Sequence, residues 1–119
     1  MKQRSLFQSF SYALAGFVYA LRAERNMKIH IIAAAAAALL GIWVRLSMIE
    51  YIFLALTIAM VLIAELLNTC IEVAIDHTTN GEKHPTVKII KDIGAAAVLT
   101  ASIAASIIAL LLFVPKLFV

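Results

Sequence analysis

Residues 51–75, YIFLALTIAMVLIAELLNTCIEVAI, run without a glycine or a proline. A stretch this long and apolar reads as a helix that crosses a bilayer, since roughly 20 residues span the hydrocarbon. Its second half nevertheless carries Glu65 and Glu72, and Asp76 follows directly. Ionisable groups at such depth are costly and mark function when they occur. This acid-bearing helix constrains everything else about the chain.

Two further stretches are apolar enough to span. One runs from about Ile29 to Val44 or Leu46 and contains the alanine run Ala33 to Ala38. Small side chains suit close helix packing, and its shortness implies that it draws turns from the segment before it. The other runs from Ile93 to Val114, where Pro115 is expected to stop it. The 119 residues are 64% hydrophobic and 14% charged, with a mean hydropathy of +1.00. A chain of this length cannot hide so much apolar surface from water, so a soluble globule is excluded. One domain is the most it forms. The net charge of +3 is too small and dispersed for a nucleic-acid binder. The single Cys70 allows neither an intrachain disulfide nor a cysteine metal site, and reads as a small apolar residue on a membrane helix.

The amino-terminal segment LFQSFSYALAGFVYAL follows Lys2 and Arg4. Gln8, Ser9 and Ser11 interrupt it, unlike the plain apolar block of a signal peptide. Leu6, Phe10, Leu14, Phe17 and Leu21 recur at spacings of four, four, three and four, which is one face of a helix. Such a helix with basic ends lies in the headgroup layer. The expected architecture is therefore an all-α membrane protein, with a surface helix at about residues 4–24 and membrane helices at about 28–46, 50–76 and 92–114. Lys2, Arg4, Arg22, Arg25 and Lys28 precede the first span, and Lys83, Lys88 and Lys91 lie in the 76–92 loop. Only Arg45 and Lys116 fall on the opposite side, so the positive-inside rule places the N-terminus and the 76–92 loop in the cytoplasm and the C-terminus outside. Asn80-Gly81 and Pro85 mark the turn within that loop.

Glu65, Asn68, Glu72 and Asp76 are spaced by three, four and four residues, so they share roughly 80° of helical arc. Counting ~20 residues from Tyr51 reaches Cys70, which puts Glu72 and Asp76 at the cytoplasmic interface. Glu65 then lies about 8 Å inside. In the plainer reading these acids pair with Arg25, Lys28 and Lys91 and hold the bundle together. Glu24, in RAERNMKIH, falls on the same side of the membrane as Glu72. Two carboxylates from two helices, with Asn68 nearby, suit Mg²⁺, which takes a few carboxylates and completes its shell with water and phosphate. Lys88, Lys91 and Asp92 open the last helix, where free backbone N–H groups and a lysine together suit a phosphate. In the plainer reading they are basic residues flanking a span. Gly94, before three alanines, permits close approach of a helix or ligand.

These features point to phosphoryl transfer at a membrane surface. The nucleotide comes from water, the acceptor is a lipid hydroxyl at headgroup depth, and Glu65 accepts the hydroxyl proton. Mg²⁺ and lysine neutralise the transferred phosphoryl. Neither G-x-x-x-x-G-K-[ST] nor G-x-G-x-x-G is present, the only glycines being Gly16, Gly41, Gly81 and Gly94. A small oligomer that conducts ions along the acid stripe and a purely structural membrane subunit remain as other readings.

The stretch AELLNTCIEVAID, with RAERNMKIH before the first span and GEKHPTVKIIKDIGAAAV leading into the last, resembles the small bacterial integral-membrane lipid kinases. That family comprises diacylglycerol kinase and its relative undecaprenol kinase, and the resemblance covers residues from about 8 to 112. It implies that Glu65 is the general base with Asn68 beside it, and that Glu72 and Glu24 bind the divalent metal on ATP. Lys91 and Asp92 match a phosphate-contacting lysine and its companion acid. Tyr12, Glu82 and His84 match the nucleotide site, and Asp76 a supporting acid. The resemblance also implies a homotrimer with active sites shared between subunits. Ala23, Lys28 and Lys83 stand where enterobacterial diacylglycerol kinases have Asn, Arg and Tyr, and the loop is one residue longer. These departures fall on the nucleotide pocket and leave the metal and base residues intact. AERNMKIH and KHPTVKIIKD are more similar to the undecaprenol kinase branch. The expected reaction is transfer of the ATP γ-phosphate to undecaprenol, with diacylglycerol as the alternative acceptor, in a bacterial cytoplasmic membrane.

Overall fold

A computed structural model describes residues 3–118; Lys2, counted above among the basic residues, lies outside them. The described residues form four helices, α1 (Leu6–Ala23), α2 (Arg25–Trp43), α3 (Met48–Thr79) and α4 (Pro85–Leu117), and no strand. The last three are long and apolar enough to cross a membrane.

Local chemistry sets most boundaries. α1 opens with a capping box, in which Ser5 Oγ accepts from the Gln8 N–H at 3.2 Å and Gln8 Oε1 from the Ser5 N–H at 3.0 Å. It ends at Glu24, whose extended backbone (φ −111°, ψ 119°) is all that separates α1 from α2. α2 thus takes Arg25 to Lys28 as its own first turn rather than drawing turns from the surface helix. Its 19 residues reach ~28 Å, about the hydrocarbon thickness. A second capping box, Ser47 with Glu50, starts α3. α3 ends at Asn80, whose left-handed φ of 53° is followed by Gly81 at φ 76°.

α4 departs from expectation at both ends. It begins at Pro85, well before residue 92, because proline is preorganised for the first helical turn and needs no N–H there. Lys91 and Asp92 therefore sit in the second turn, beyond the free N–H groups of the helix start. At the other end Pro115 does not stop the helix, which runs on to Leu117. Proline there sacrifices one hydrogen bond of the final turn, and the Phe118 N–H still donates to the Val114 carbonyl at 3.2 Å.

The packing face of α3 is one continuous stripe. Leu54, Thr57, Val61, Glu65 and Asn68 are buried, at spacings of three, four, four and three, so the acids extend the face that packs the bundle. Gly94, Val98 and Ala101 of α4 are buried opposite it, small residues that let the helix backbones approach. An apolar cluster of Leu46, Leu54 and Phe113 closes the end near the α2–α3 turn. There the Tyr51 hydroxyl donates to the Ala38 carbonyl at 3.4 Å, and Lys116 pairs with Glu50 at 3.1 Å. Gly41 lets Leu46 and Tyr51 pack closely at this crossing, since a Cβ on it would come within 2.9 Å of Leu46 Cδ1 and the leucine tip would have to shift.

The chain measures 55 × 40 × 20 Å, so it is about two helix diameters thick. Most large apolar side chains consequently face outward; Leu6, Phe10 and Leu14 of the α1 stripe are all exposed. Cys70 is exposed as well.

Candidate functional site

The α1–α2 junction, the end of α3 and the start of α4 meet at one end of the bundle. Along the polar stripe of α3, burial falls steadily toward that end. Glu65 is fully buried (0% exposed) and Asn68 nearly so (7%), Glu72 is half-buried, and Asp76 is exposed. The stripe thus leads from a sealed carboxylate to an open one over ~16 Å of helix. A single chain already shelters the deeper half of it.

Glu65 is the most unusual group in the molecule. Neither of its carboxylate oxygens has a hydrogen-bond partner, and the same holds for Asn68 Oδ1. Buried polar atoms are normally satisfied, so three orphaned acceptors on adjacent turns mark a place built for a ligand or a proton rather than for stability. The backbone there is fixed: Thr69 Oγ1 donates to the Glu65 carbonyl at 2.9 Å. Asn68 is pressed against α4, where a Cβ on Gly94 would collide with Oδ1. The close approach expected at Gly94 is thus made by this carboxamide.

One turn or two outward, Glu72 has Glu24 within side-chain hydrogen-bonding reach, with Lys91 and Asp76 also beside it. Two carboxylates on different elements facing each other are a repulsive arrangement that a bound cation would reverse. No group of three His, Cys, Asp or Glu side chains suited to a metal exists among the described residues. Two carboxylate donors suit a hard divalent ion that would complete its shell with water and phosphate oxygens.

Other expected residues divide into two sets. Lys91 Nζ donates to Asp76 Oδ1 at 2.7 Å, tying α4 to α3 beside the facing carboxylates. Asp92 instead pairs with Lys88 at 2.6 Å on the exposed side of α4. Lys28 Nζ donates to the Arg22 carbonyl at 3.3 Å, and neither Lys28 nor Arg25 pairs with an acid among the described residues. Of the bundle-holding pairs considered from sequence, only the Lys91 one forms. Glu82 and His84 lie together in the α3–α4 loop, 3.4 Å apart and exposed. Tyr12 is exposed on α1 with the Arg4 guanidinium 4.8 Å from its ring centroid.

One residue of the site received no role from sequence. His30 Nε2 lies 3.8 Å from Glu65 Oε2. The signal was present: His30, Met27, Ala34, Ala37 and Gly41 fall on one arc of α2, and a histidine heading a stripe of small residues must face a neighbouring helix.

Comparison with known proteins assigns the chain to a family. The family model for prokaryotic diacylglycerol kinase matches residues 11–113. A protein of Synechocystis sp. named diacylglycerol kinase is 42% identical over 113 residues, covering 95% of this chain and 65% of that protein. A protein of Bacillus subtilis named undecaprenol kinase is 41% identical over 111 residues, covering 93% of this chain and 89% of its own length. The chain belongs to the prokaryotic diacylglycerol kinase family, whose named relatives here are lipid kinases.

Proposed function

We propose that this protein transfers the γ-phosphate of ATP to the hydroxyl of a membrane lipid alcohol, undecaprenol, at the cytoplasmic face of a bacterial membrane. The observation that carries the reading is the sealed Glu65 carboxylate, without a hydrogen-bond partner and about two turns below the facing pair Glu24 and Glu72. That separation supports a reading in which Glu65 serves as base at the depth of a lipid hydroxyl and the facing pair binds a cation where a nucleotide arrives from water.

In this reading Glu65 accepts the hydroxyl proton as the new O–P bond forms and the bond to the departing ADP oxygen breaks. Asn68, with its free Oδ1 beside Glu65, orients the acceptor hydroxyl. Glu24 and Glu72 hold Mg²⁺, which when bound neutralises charge on the phosphate oxygens. Lys91, held by Asp76, contacts phosphate, and Asp92 keeps Lys88 in place. Tyr12, Glu82 and His84 contact the nucleoside. Lys28 supports the α1–α2 junction through the Arg22 carbonyl.

We read the oligomer as a homotrimer. The 20 Å thickness of one chain and the outward-facing large apolar side chains support packing against neighbouring copies. The basic residues of α1 and of the α3–α4 loop support a cytoplasmic location for this end.

The two named relatives are nearly equal in identity, 42% and 41%, so overall similarity does not choose the acceptor. The AERNMKIH and KHPTVKIIKD segments favour undecaprenol. The test is phosphate transfer from labelled ATP, with Mg²⁺, to undecaprenol and to diacylglycerol presented in the same detergent. Faster transfer to undecaprenol is expected; faster transfer to diacylglycerol would assign that acceptor instead. An ion-conducting oligomer would give flux in liposomes without ATP turnover, and the confinement of unpartnered acids to one end of the bundle argues against it.

A further inference from the structure

Glu65 is enclosed on every side, yet one titratable group from another helix faces it. His30 of α2 places Nε2 at 3.8 Å from Glu65 Oε2, with the two side chains 19% and 0% exposed. No backbone N–H, hydroxyl or amide satisfies either carboxylate oxygen. A buried carboxylate without a donor is costly and has no bond that fixes which oxygen faces the acceptor, and a charge-assisted bond at about 2.8 Å would remedy both. Closing from 3.8 Å to that length requires a movement of only about 1 Å, well within a side-chain adjustment.

His30 also has a second neighbour. A cleft of about 310 Å³ opens between α2, α3 and α4 on the apolar side of Glu65, and His30 is the one ionisable side chain in its lining. The rest of the wall is alanine and aliphatic, with Thr57, Ser102 and Ser106 the only hydroxyls. Two of those hydroxyls are spent on their own helices: Thr57 donates to the Phe53 carbonyl at 2.7 Å and Ser106 to the Ser102 carbonyl at 2.8 Å. His30 therefore stands between the sealed carboxylate and the bundle's apolar opening.

We infer that His30 is a positioning residue for Glu65: its Nε2–H holds one carboxylate oxygen so that the other faces the acceptor hydroxyl. The inference rests on the base role proposed above for Glu65. As the new O–P bond forms and the bond to the ADP oxygen breaks, the hydroxyl proton passes to the oxygen that His30 does not hold. His30 touches neither the phosphate nor the leaving group.

The experiment pairs two substitutions with a measurement that needs no turnover. His30→Leu removes the donor and should lower kcat by roughly 10- to 100-fold, as expected when a reacting group is misplaced by about 1 Å, while KM for ATP stays near the wild-type value. His30→Gln offers an amide N–H at similar reach and should recover at least about tenfold of that loss, within the same range. Full kcat in His30→Leu would overturn the inference, as would equal loss in both variants. Independently, the His30 imidazole ¹⁵N resonances of the protein in micelles should move in Glu65→Gln, and unchanged resonances would overturn the pairing. If the wild-type protein phosphorylates no lipid alcohol, the kinase reading fails, and the imidazole spectra alone decide whether His30 holds Glu65.

Discussion

Gly94 of α4 lies directly against the carboxamide of Asn68 of α3, so that a methyl group added to the glycine would overlap Oδ1. Asn68 is buried and this oxygen has no hydrogen-bond partner. The glycine thus makes room for a polar oxygen that forms no hydrogen bond, as a site residue would. Gly94→Ala should push Asn68 out of position at a stability cost of about 1–3 kcal/mol, the usual range for overpacking. Lipid phosphorylation should fall by far more than the loss of folded protein explains. Thermal melting and kcat measured on the same preparation check this, and wild-type kcat in the variant would remove Asn68 from the site.

Glu65→Gln keeps shape and volume while removing the carboxylate. Transfer activity should drop by ~100-fold or more, the contribution typical of a positioned general base. Stability should not fall, because the carboxyl oxygens that the change replaces have no hydrogen-bond partner. A variant that melts at or above the wild-type temperature but is nearly inactive is the expected result. Retained activity would take the base role from this residue.

Glu24 at the α1–α2 junction faces Glu72 of α3. Neutralising either one leaves a single carboxylate for the cation. The Mg²⁺ concentration for half-maximal activity should rise roughly tenfold or more in Glu72→Gln, equivalent to ~1.4 kcal/mol of binding. Glu24→Gln should act in the same direction. Titration of activity against Mg²⁺ at saturating ATP is the measurement, and an unchanged midpoint would show that the pair does not hold the ion.

Lys91 and Asp76 form an ion pair at 2.7 Å with both side chains partly exposed, and such pairs add little to stability. The double substitution Asp76→Lys with Lys91→Asp exchanges the charges between helices. It should restore the melting behaviour lost in either single change. It should not restore KM for ATP, because the cation then projects from α3 instead of α4. Full recovery of KM would assign Lys91 a purely structural part.

The fold is largely written in linear pattern. The apolar stretches, the Asn80-Gly81 turn and the spacing of Glu65, Asn68, Glu72 and Asp76 identify α2, α3 and α4 and the functional face of α3, because helical period converts sequence spacing into a direction in space. Helix ends were less legible. Pro85 starts α4 and Pro115 does not end it, since proline's effect depends on whether the N–H it lacks was needed at that turn.

Sequence alone determined which groups share a face and which end of the molecule carries the acids. Tertiary packing decided how deeply each acid is sealed and what it meets. Glu65 and Asp76 are equivalent on the α3 stripe, yet one is enclosed beside His30 and the other is exposed beside Lys91. The reason is geometric. Period fixes angle about one helix axis, whereas burial and partnership depend on how closely α2 and α4 approach, and that distance is set by Gly94 and the small residues of the facing helices.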